Sequence, residues 1–235
     1  MRSRFAGKVA VVAGGTGGLG KAVSLAFLDE GAQVVVSHSV ADKFAELQTA
    51  AKARRGAVDG QHVDVTDEVA VKKWIDGVLT TYGRVDALVN AVGGYAGGVK
   101  LWEMESHLME TMLRLNLRAG YVLARVATPV MLRQKSGAIV NVVSKAAWDH
   151  AAGASAYAAS KAAALAMTDC LAADVKGTGV RVNSILPSII DTEANRRAMP
   201  DADFSKWPKP EEIARVILFL CSEDAKVVHG AAVGL

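Results

Sequence analysis

Tyr157 and Lys161 stand four residues apart in Ser155-Ala-Tyr-Ala-Ala-Ser-Lys161, and Ala, Ser and Leu continue around them to Asp174 without Pro or Gly. That composition predicts a helix, on which residues i and i+4 share a face. An ammonium is then held beside a phenol whose ordinary pKa is about 10, and a nearby positive charge favours the phenolate and lowers that value. A tyrosine tuned in this way can exchange a proton with a carbonyl or alcohol oxygen near neutral pH. The same spacing arises by chance on many surface helices, so the rest of the chain has to decide.

A second constellation lies near the start. Gly14-Gly-Thr-Gly-Gly18-Leu-Gly20 follows the apolar run Val9–Ala13 and opens an Ala/Leu/Phe-rich stretch that ends near Glu30. Strand, glycine-rich turn and helix in that order let backbone amides and a helix N-terminus approach a pyrophosphate. The spacing is G-x-x-x-G-x-G, and the strand before and helix after supply the context such a motif requires.

Together these motifs resemble the classical short-chain dehydrogenase/reductase family over nearly the whole chain. The glycine turn fits, with Ala13 where the family usually has Thr, and Asp64-Val65 resembles its adenine-side acidic position. Asn90-Ala91-Val92-Gly93 is similar to the family's N-A-G strand end, and Pro187-Ser-Ile-Ile-Asp-Thr192 to its P-G-x-x-x-T segment, with Ser188 replacing Gly. Asn116, Ser144, Tyr157 and Lys161 fall on the four positions of its catalytic tetrad. The resemblance implies a doubly wound Rossmann-type parallel sheet and an NAD(P)-dependent carbonyl or alcohol oxidoreductase. Tyr157 would act as general acid/base and Ser144 would hydrogen-bond the substrate oxygen. Lys161 would hold the nicotinamide ribose, and Asn116 would support a water-linked proton path. Asn116 could equally cap or bend its helix, and Ser144 could merely end a strand. The implied cofactor residues are Gly14, Thr16, Gly18, Leu19, Gly20, His38, Ser39, Asp64, Val65, Asn90, Ala91, Gly93, Tyr157, Lys161, Pro187, Ile190 and Thr192.

NAD-preferring relatives place an Asp at the end of the second strand, where this chain has His38 followed by Ser39. No carboxylate repels a 2′-phosphate there, and His38, Ser39 and Lys43 could accept one, so the reading leans to NADP over NAD. Tyr95, Ser144, Trp148, His150, Tyr157 and Ile189 are expected to line the substrate pocket. Two segments, Gly93–Gly98 and Asp191–Trp207, resemble dihydropteridine reductase, but Ser144 is absent from that enzyme. A quinonoid dihydropteridine-type reductase is therefore the alternative function. A nucleotide-sensing protein without catalysis is the alternative of another class.

The elements that must position these residues follow from apolar patterning. Runs at Val9–Ala13, Gln33–Ser37, Val58–Val63, Ala87–Asn90, Ala138–Val143 and Val180–Leu186 alternate with helical stretches at Gly18–Glu30, Ala41–Arg55, Asp67–Tyr82, Glu103–Gln134 and Ser155–Lys176. Continuous Val/Ile/Ala strands imply burial on both faces, hence a parallel sheet between helices. A helix at Pro210–Cys221 and a short strand at Ala231–Val233 close the pattern. At 235 residues and 51% hydrophobic, the chain is expected to form a single domain over residues 1–235, with Asp191–Trp207 as a lid.

A net charge of +3 gives no case for nucleic acid, and the pairs Arg54-Arg55 and Arg196-Arg197 read as solvated faces. Cys170 and Cys221 lack metal-ligand spacing and read as packed, reduced thiols of a cytoplasmic protein, with no metal expected. Neither a signal peptide nor a membrane span is expected, and the tail after the last strand looks short for the family. Apolar residues on several faces of the two long helices predict a homo-oligomer, a tetramer by resemblance.

Overall fold

Every residue of Val9–Ala13 (β1) is buried, and its side chains divide between two cores. Ala10 and Val12 enter one, while Val9, Val11 and Ala13 enter the other. A strand covered on both faces has no polar side to display, which is why its sequence is apolar without alternation. In the computed structural model, which describes residues 3–54 and 56–235, β1 lies inside a seven-stranded sheet of order β3-β2-β1-β4-β5-β6-β7. The other strands are β2 (Gln33–His38), β3 (Val58–His62), β4 (Ala87–Asn90), β5 (Gly137–Val142), β6 (Val180–Leu186) and β7 (Ala232–Gly234). All pair in parallel. Strand order reverses at β1, which has β2 on one side and β4 on the other, and ligands bind outside the carboxyl ends at such a point.

Helices α1 (Gly18–Asp29), α2 (Ala41–Ala53) and α8 (Pro210–Cys221) cover one face of the sheet; α3 (Glu68–Tyr82), α5 (Ala119–Gln134) and α6 (Ser155–Asp174) cover the other. The helix α3 starts where Asp67 accepts from the amides of Val69 and Ala70, an N-cap. It then buries Val71, Trp74, Ile75 and Val78. Full burial of a large apolar side chain contributes about 1.5–3 kcal/mol.

The structure corrects several sequence expectations. Only Val58 of β3 is buried, because β3 is the sheet's edge. The single helix expected over Glu103–Gln134 is a 3₁₀ turn at Leu101–Glu103, then α4 (Ser106–Leu113), a π-helical turn at Arg114–Arg118, and α5. The segment Asp191–Trp207 contains a short helix, α7 (Glu193–Ala198), and a 3₁₀ turn at Phe204–Lys206. Cys170 is exposed and only Cys221 is packed, with its thiol pushed up to about 12 by burial. Arg55, the expected end of α2 and half of the Arg54-Arg55 pair, lies outside the described residues. No helix among the described residues is long and apolar enough to cross a membrane.

Candidate active site

Beyond the carboxyl ends of the central strands opens a cavity of about 750 Å³. Leu19 and Ala91–Tyr95 line one side; Val142–Ala146, Tyr157 and Lys161 line the second; Pro187–Ile190, Asn195, Ala198 and Met199 line the third. A cavity of about 500 Å³ at the opposite end of the sheet is lined by Lys8, Asp86 and Arg181, among others, and these three charges are engaged. Lys8 pairs with Asp86 at 3.3 Å, and Arg181 donates to the carbonyls of Leu220 in the last turn of α8 and of Ser222 and Ala225 beyond it.

Tyr157 and Lys161 sit on the first turns of α6, with the Lys161 Nζ 5.9 Å from the Tyr157 ring centre. Lys161 is 5% exposed, and burial alone pulls its ammonium down to about 8; its Nζ donates to the Val142 carbonyl at 3.2 Å. The phenol departs from the sequence expectation. Burial raises the Tyr157 pKa, the neighbouring Ser144 hydroxyl opposes that rise, and Tyr95 adds to it. Desolvation disfavours the charged phenolate and outweighs the single Ser144 hydrogen bond that favours it. The Tyr95 ring stands edge-on to Tyr157, with centroids 4.9 Å apart.

Ser144 lies two residues past β5 and caps the 3₁₀ turn Lys145–Ala147, accepting from the Ala146 amide. Asn116 occupies the middle of the π-helical turn and is 2% exposed. Its Nδ2 donates to Gly94 O and Ser160 Oγ, both at 3.0 Å, and its Oδ1 accepts from the Gly94 amide. Ser160 in turn donates to the Tyr157 carbonyl at 2.7 Å, so the π turn, the loop after β4 and α6 are joined. Gly93 is wedged among them: a Cβ there would stand 2.9 Å from Asn116 Oδ1 and 3.1 Å from Lys161 Nζ.

A second buried chain of hydrogen bonds was not legible as a motif. Asn90 of β4 and Asn141 of β5 are register partners, and Asn90 Nδ2 donates to Asn141 Oδ1 at 2.9 Å. Asn141 Nδ2 donates to Thr168 Oγ1 on α6, also at 2.9 Å, while Asn90 Oδ1 accepts from the Val92 amide. The strand ends and α6 are thus tied by polar groups inside an apolar core, each with its partner present.

The glycine-rich turn has the makings of a phosphate cradle. Gly17 caps α1 without a side-chain hydrogen bond, and no acidic residue stands in the first turn, so the helix N-terminus is left to an anion. A Cβ at Gly20 would lie 2.0 Å from the Gly14 carbonyl, so only glycine lets α1 start this close to the turn. Ser37 of β2 receives the Gly14 amide and Ser24 reaches back to the Gly15 carbonyl, fixing the loop. Thr16 and Gly18 lie on this turn, and Thr192 touches Gly18 from across the cavity. Asp64 is exposed beyond β3, its carboxylate held by Thr66 and Arg114 and lowered in pKa chiefly by Thr66, with Val65 buried beside it.

His38 is held in place by aromatic neighbours. Its ring stacks on Phe44 with centroids 4.6 Å apart, and burial, then His62, lower its pKa. Ser39 and Lys43 are exposed nearby. Of the expected substrate residues, Tyr95, Ser144, Tyr157 and Ile189 line the cavity, whereas Trp148 and His150 do not. After the 3₁₀ turn the chain swings outward, and the Trp148 ring packs against Gly234 of β7. Met199 lines the cavity, but Phe204 and Trp207 pack on each other at 4.9 Å instead. Lys145 and Asp149 line it without having been singled out as pocket residues.

Comparison with known proteins accords with this arrangement. A family model described as short chain dehydrogenase matches residues 8–203. The 3-oxoacyl-[acyl-carrier-protein] reductase FabG of Thermotoga maritima is 33% identical over 99% of this chain and 97% of its own length. Among solved structures, ElxO with NADP bound superposes with a TM-score of 0.90 at 26% identity, covering 97% of this chain and 96% of that one. NAD⁺-bound xylitol dehydrogenase shares the fold at a TM-score of 0.91 and 23% identity, covering 98% of this chain and 98% of that one.

Proposed function

The chain belongs to the short-chain dehydrogenase/reductase family of NAD(P)-dependent oxidoreductases, and from that premise we propose that it interconverts a carbonyl and an alcohol, with Tyr157 as general acid and base. The observation that carries the reading is the convergence of Ser144, Tyr157 and Lys161 on one cavity beside an uncapped, glycine-opened helix. A bound nicotinamide nucleotide supplies or accepts the hydride. Gly14, Thr16, Gly18, Leu19 and Gly20 would hold its phosphates, with Asp64 and Val65 on the adenine side. Asn90, Ala91, Gly93, Pro187, Ile190 and Thr192 would flank the nicotinamide.

The protein's own contribution is the proton and its placement. In the reducing direction the raised Tyr157 pKa keeps the phenol protonated, ready to donate to the substrate oxygen. Ser144 presents its hydroxyl to the same oxygen and steadies the charge that develops there. Lys161 would hold the ribose hydroxyls, and its buried amine sits where a proton can be passed toward solvent. Asn116 contributes by fixing Gly94 and Ser160, which holds Tyr157 in place. We read Asp191–Trp207 as a lid, since Asn195, Ala198 and Met199 already form one wall of the cavity. The argument for NADP rests on Ser39, Lys43, the His38 N–H and the missing carboxylate.

Tyr157→Phe tests the assignment. Turnover is expected to fall by about 10²–10⁴-fold, with cofactor affinity unchanged, in assays of ketones and 3-oxoacyl thioesters with NADH and NADPH. Retention of a tenth or more of wild-type kcat by a folded variant would contradict it.

A further inference from the structure

Two cations line the cavity, Lys161 and Lys145. Lys161 is spoken for by the Val142 carbonyl and the reacting pair. Lys145 directly follows Ser144, is half-buried, and forms no ion pair among the described residues. Its natural mate is Asp149, one turn on and also on the cavity wall, whose amide donates to the Lys145 carbonyl at 2.8 Å. The two side chains nevertheless do not pair. Asp149 is exposed, whereas Lys145 is half-buried on the cavity wall with no carboxylate partner among the described residues. The Lys145 stem and the Trp148 ring both lie against Gly234 of β7, an apolar shelter of the kind long basic side chains use.

We propose that Lys145 receives an anionic group of the substrate, and that the substrate class is the short oxo acid and its hydroxy acid counterpart. This rests on the oxidoreductase reading of the same site. Ser144 and Lys145 line the same cavity, so one small substrate can set its carbonyl beside Ser144 and an anionic group on Lys145. The carboxylate takes no part in the reaction. The carbonyl gains two electrons and a hydrogen at carbon as hydride from the reduced nucleotide, which is oxidised, and its oxygen gains a proton from Tyr157. A charge-assisted hydrogen bond in a partly buried site selects strongly against neutral analogues.

The test pairs 2-oxobutyrate and 4-oxopentanoate with their methyl esters, assayed with NADH and NADPH on the wild type, Lys145→Gln and Lys145→Arg. Binding of the matching hydroxy acids is measured in parallel by calorimetry. The wild type is expected to favour each acid over its ester by about tenfold or more in kcat/KM. Lys145→Gln should raise KM for the acids about ten- to hundredfold and leave the esters alone, and Lys145→Arg should restore the preference. Wild-type turnover of esters as good as that of acids, or an unchanged preference in Lys145→Gln, overturns the proposal while the oxidoreductase reading stands. If nothing is turned over but hydroxy acids bind and Lys145→Gln abolishes binding, the anion site stands and the oxo acid substrate class falls. Neither turnover nor binding overturns the proposal, while the oxidoreductase reading answers to the Tyr157→Phe assays on ketones and thioesters.

Discussion

Lys161 is costly to the fold as well as central to the site. Its pKa falls from 10.5 to about 8 because burial penalises the charged amine. Below about pH 8 the folded ammonium carries that whole penalty. Between about 8 and 10.5 the folded protein has released a proton that the unfolded chain still holds, so the unfolded state binds more protons and stability rises with pH. Lys161→Met is therefore expected to stabilise the protein at pH 7 by up to about 3 kcal/mol, and to do so less as pH climbs through that window, while turnover is lost. Urea unfolding at pH 7 and pH 10 checks it; a variant no more stable than wild type at pH 7 is the contrary result. The Tyr157–Lys161 spacing was legible because helical periodicity is local. The sign of the Tyr157 shift was not, because the desolvation that decides it comes from α6 being pressed against the sheet and the loop after β4. The stacking of His38 on Phe44 was not legible for the same reason, since Phe44 is brought to it by α2.

Among the elements, the central strands were legible because burial on both faces writes itself into composition. The edge strand β3 was overextended by a residue, and the π-helical turn was invisible, since Arg114-Leu-Asn-Leu-Arg118 has an ordinary helical composition. What reveals that turn is the pinning of Asn116 to Gly94 and Ser160 across other elements. Asn141 was missed because a lone Asn in an apolar strand carries no motif. Asn141→Leu leaves Asn90 Nδ2 and Thr168 Oγ1 without this partner, and should destabilise by about 1–3 kcal/mol and slow turnover by loosening α6. Chemical denaturation beside steady-state kinetics reads both effects, and an unchanged midpoint would contradict them. For the lid, amides of Asp191–Trp207 should exchange faster than those of β4 and slow on cofactor addition. The Asp191–Arg196 pair and the Thr192 cap give α7 local order that could also make the segment rigid. Full protection before any ligand is added would identify that case.

For the molecule as a whole, two apolar cores on either side of one parallel sheet account for the fold, and the alternation of elements made that architecture readable in advance. Association is less directly written. The helix α5 leaves Tyr121 42% and Leu132 38% exposed, and α8 leaves Phe219 40% exposed. The uncovered apolar side chains of α5 and of α8 lie on opposite faces of the sheet, each available to a partner surface. We expect a homo-oligomer in solution, a tetramer by likeness to the family, read by light scattering as a multiple of the 24.6 kDa chain mass. A mass of one chain at micromolar concentration would contradict this, and Leu132→Glu should lower the mass if α5 is the contact.

The position of β1 has a consequence for how the chain is made. Its partner on one side, β2, follows closely, but on the other side Ala10–Ala13 waits for Ala87–Asn90. During synthesis the most apolar strand of the sheet therefore spends the interval with one edge unpaired, a template for any other chain with a similar edge. Pairings this far apart in sequence also form slowly. Newly made or refolding chains should consequently lose yield steeply as concentration rises, and shielding of nascent chains should restore it. The strand that anchors the nucleotide turn in the finished protein is the one most exposed to misassembly before β4 arrives.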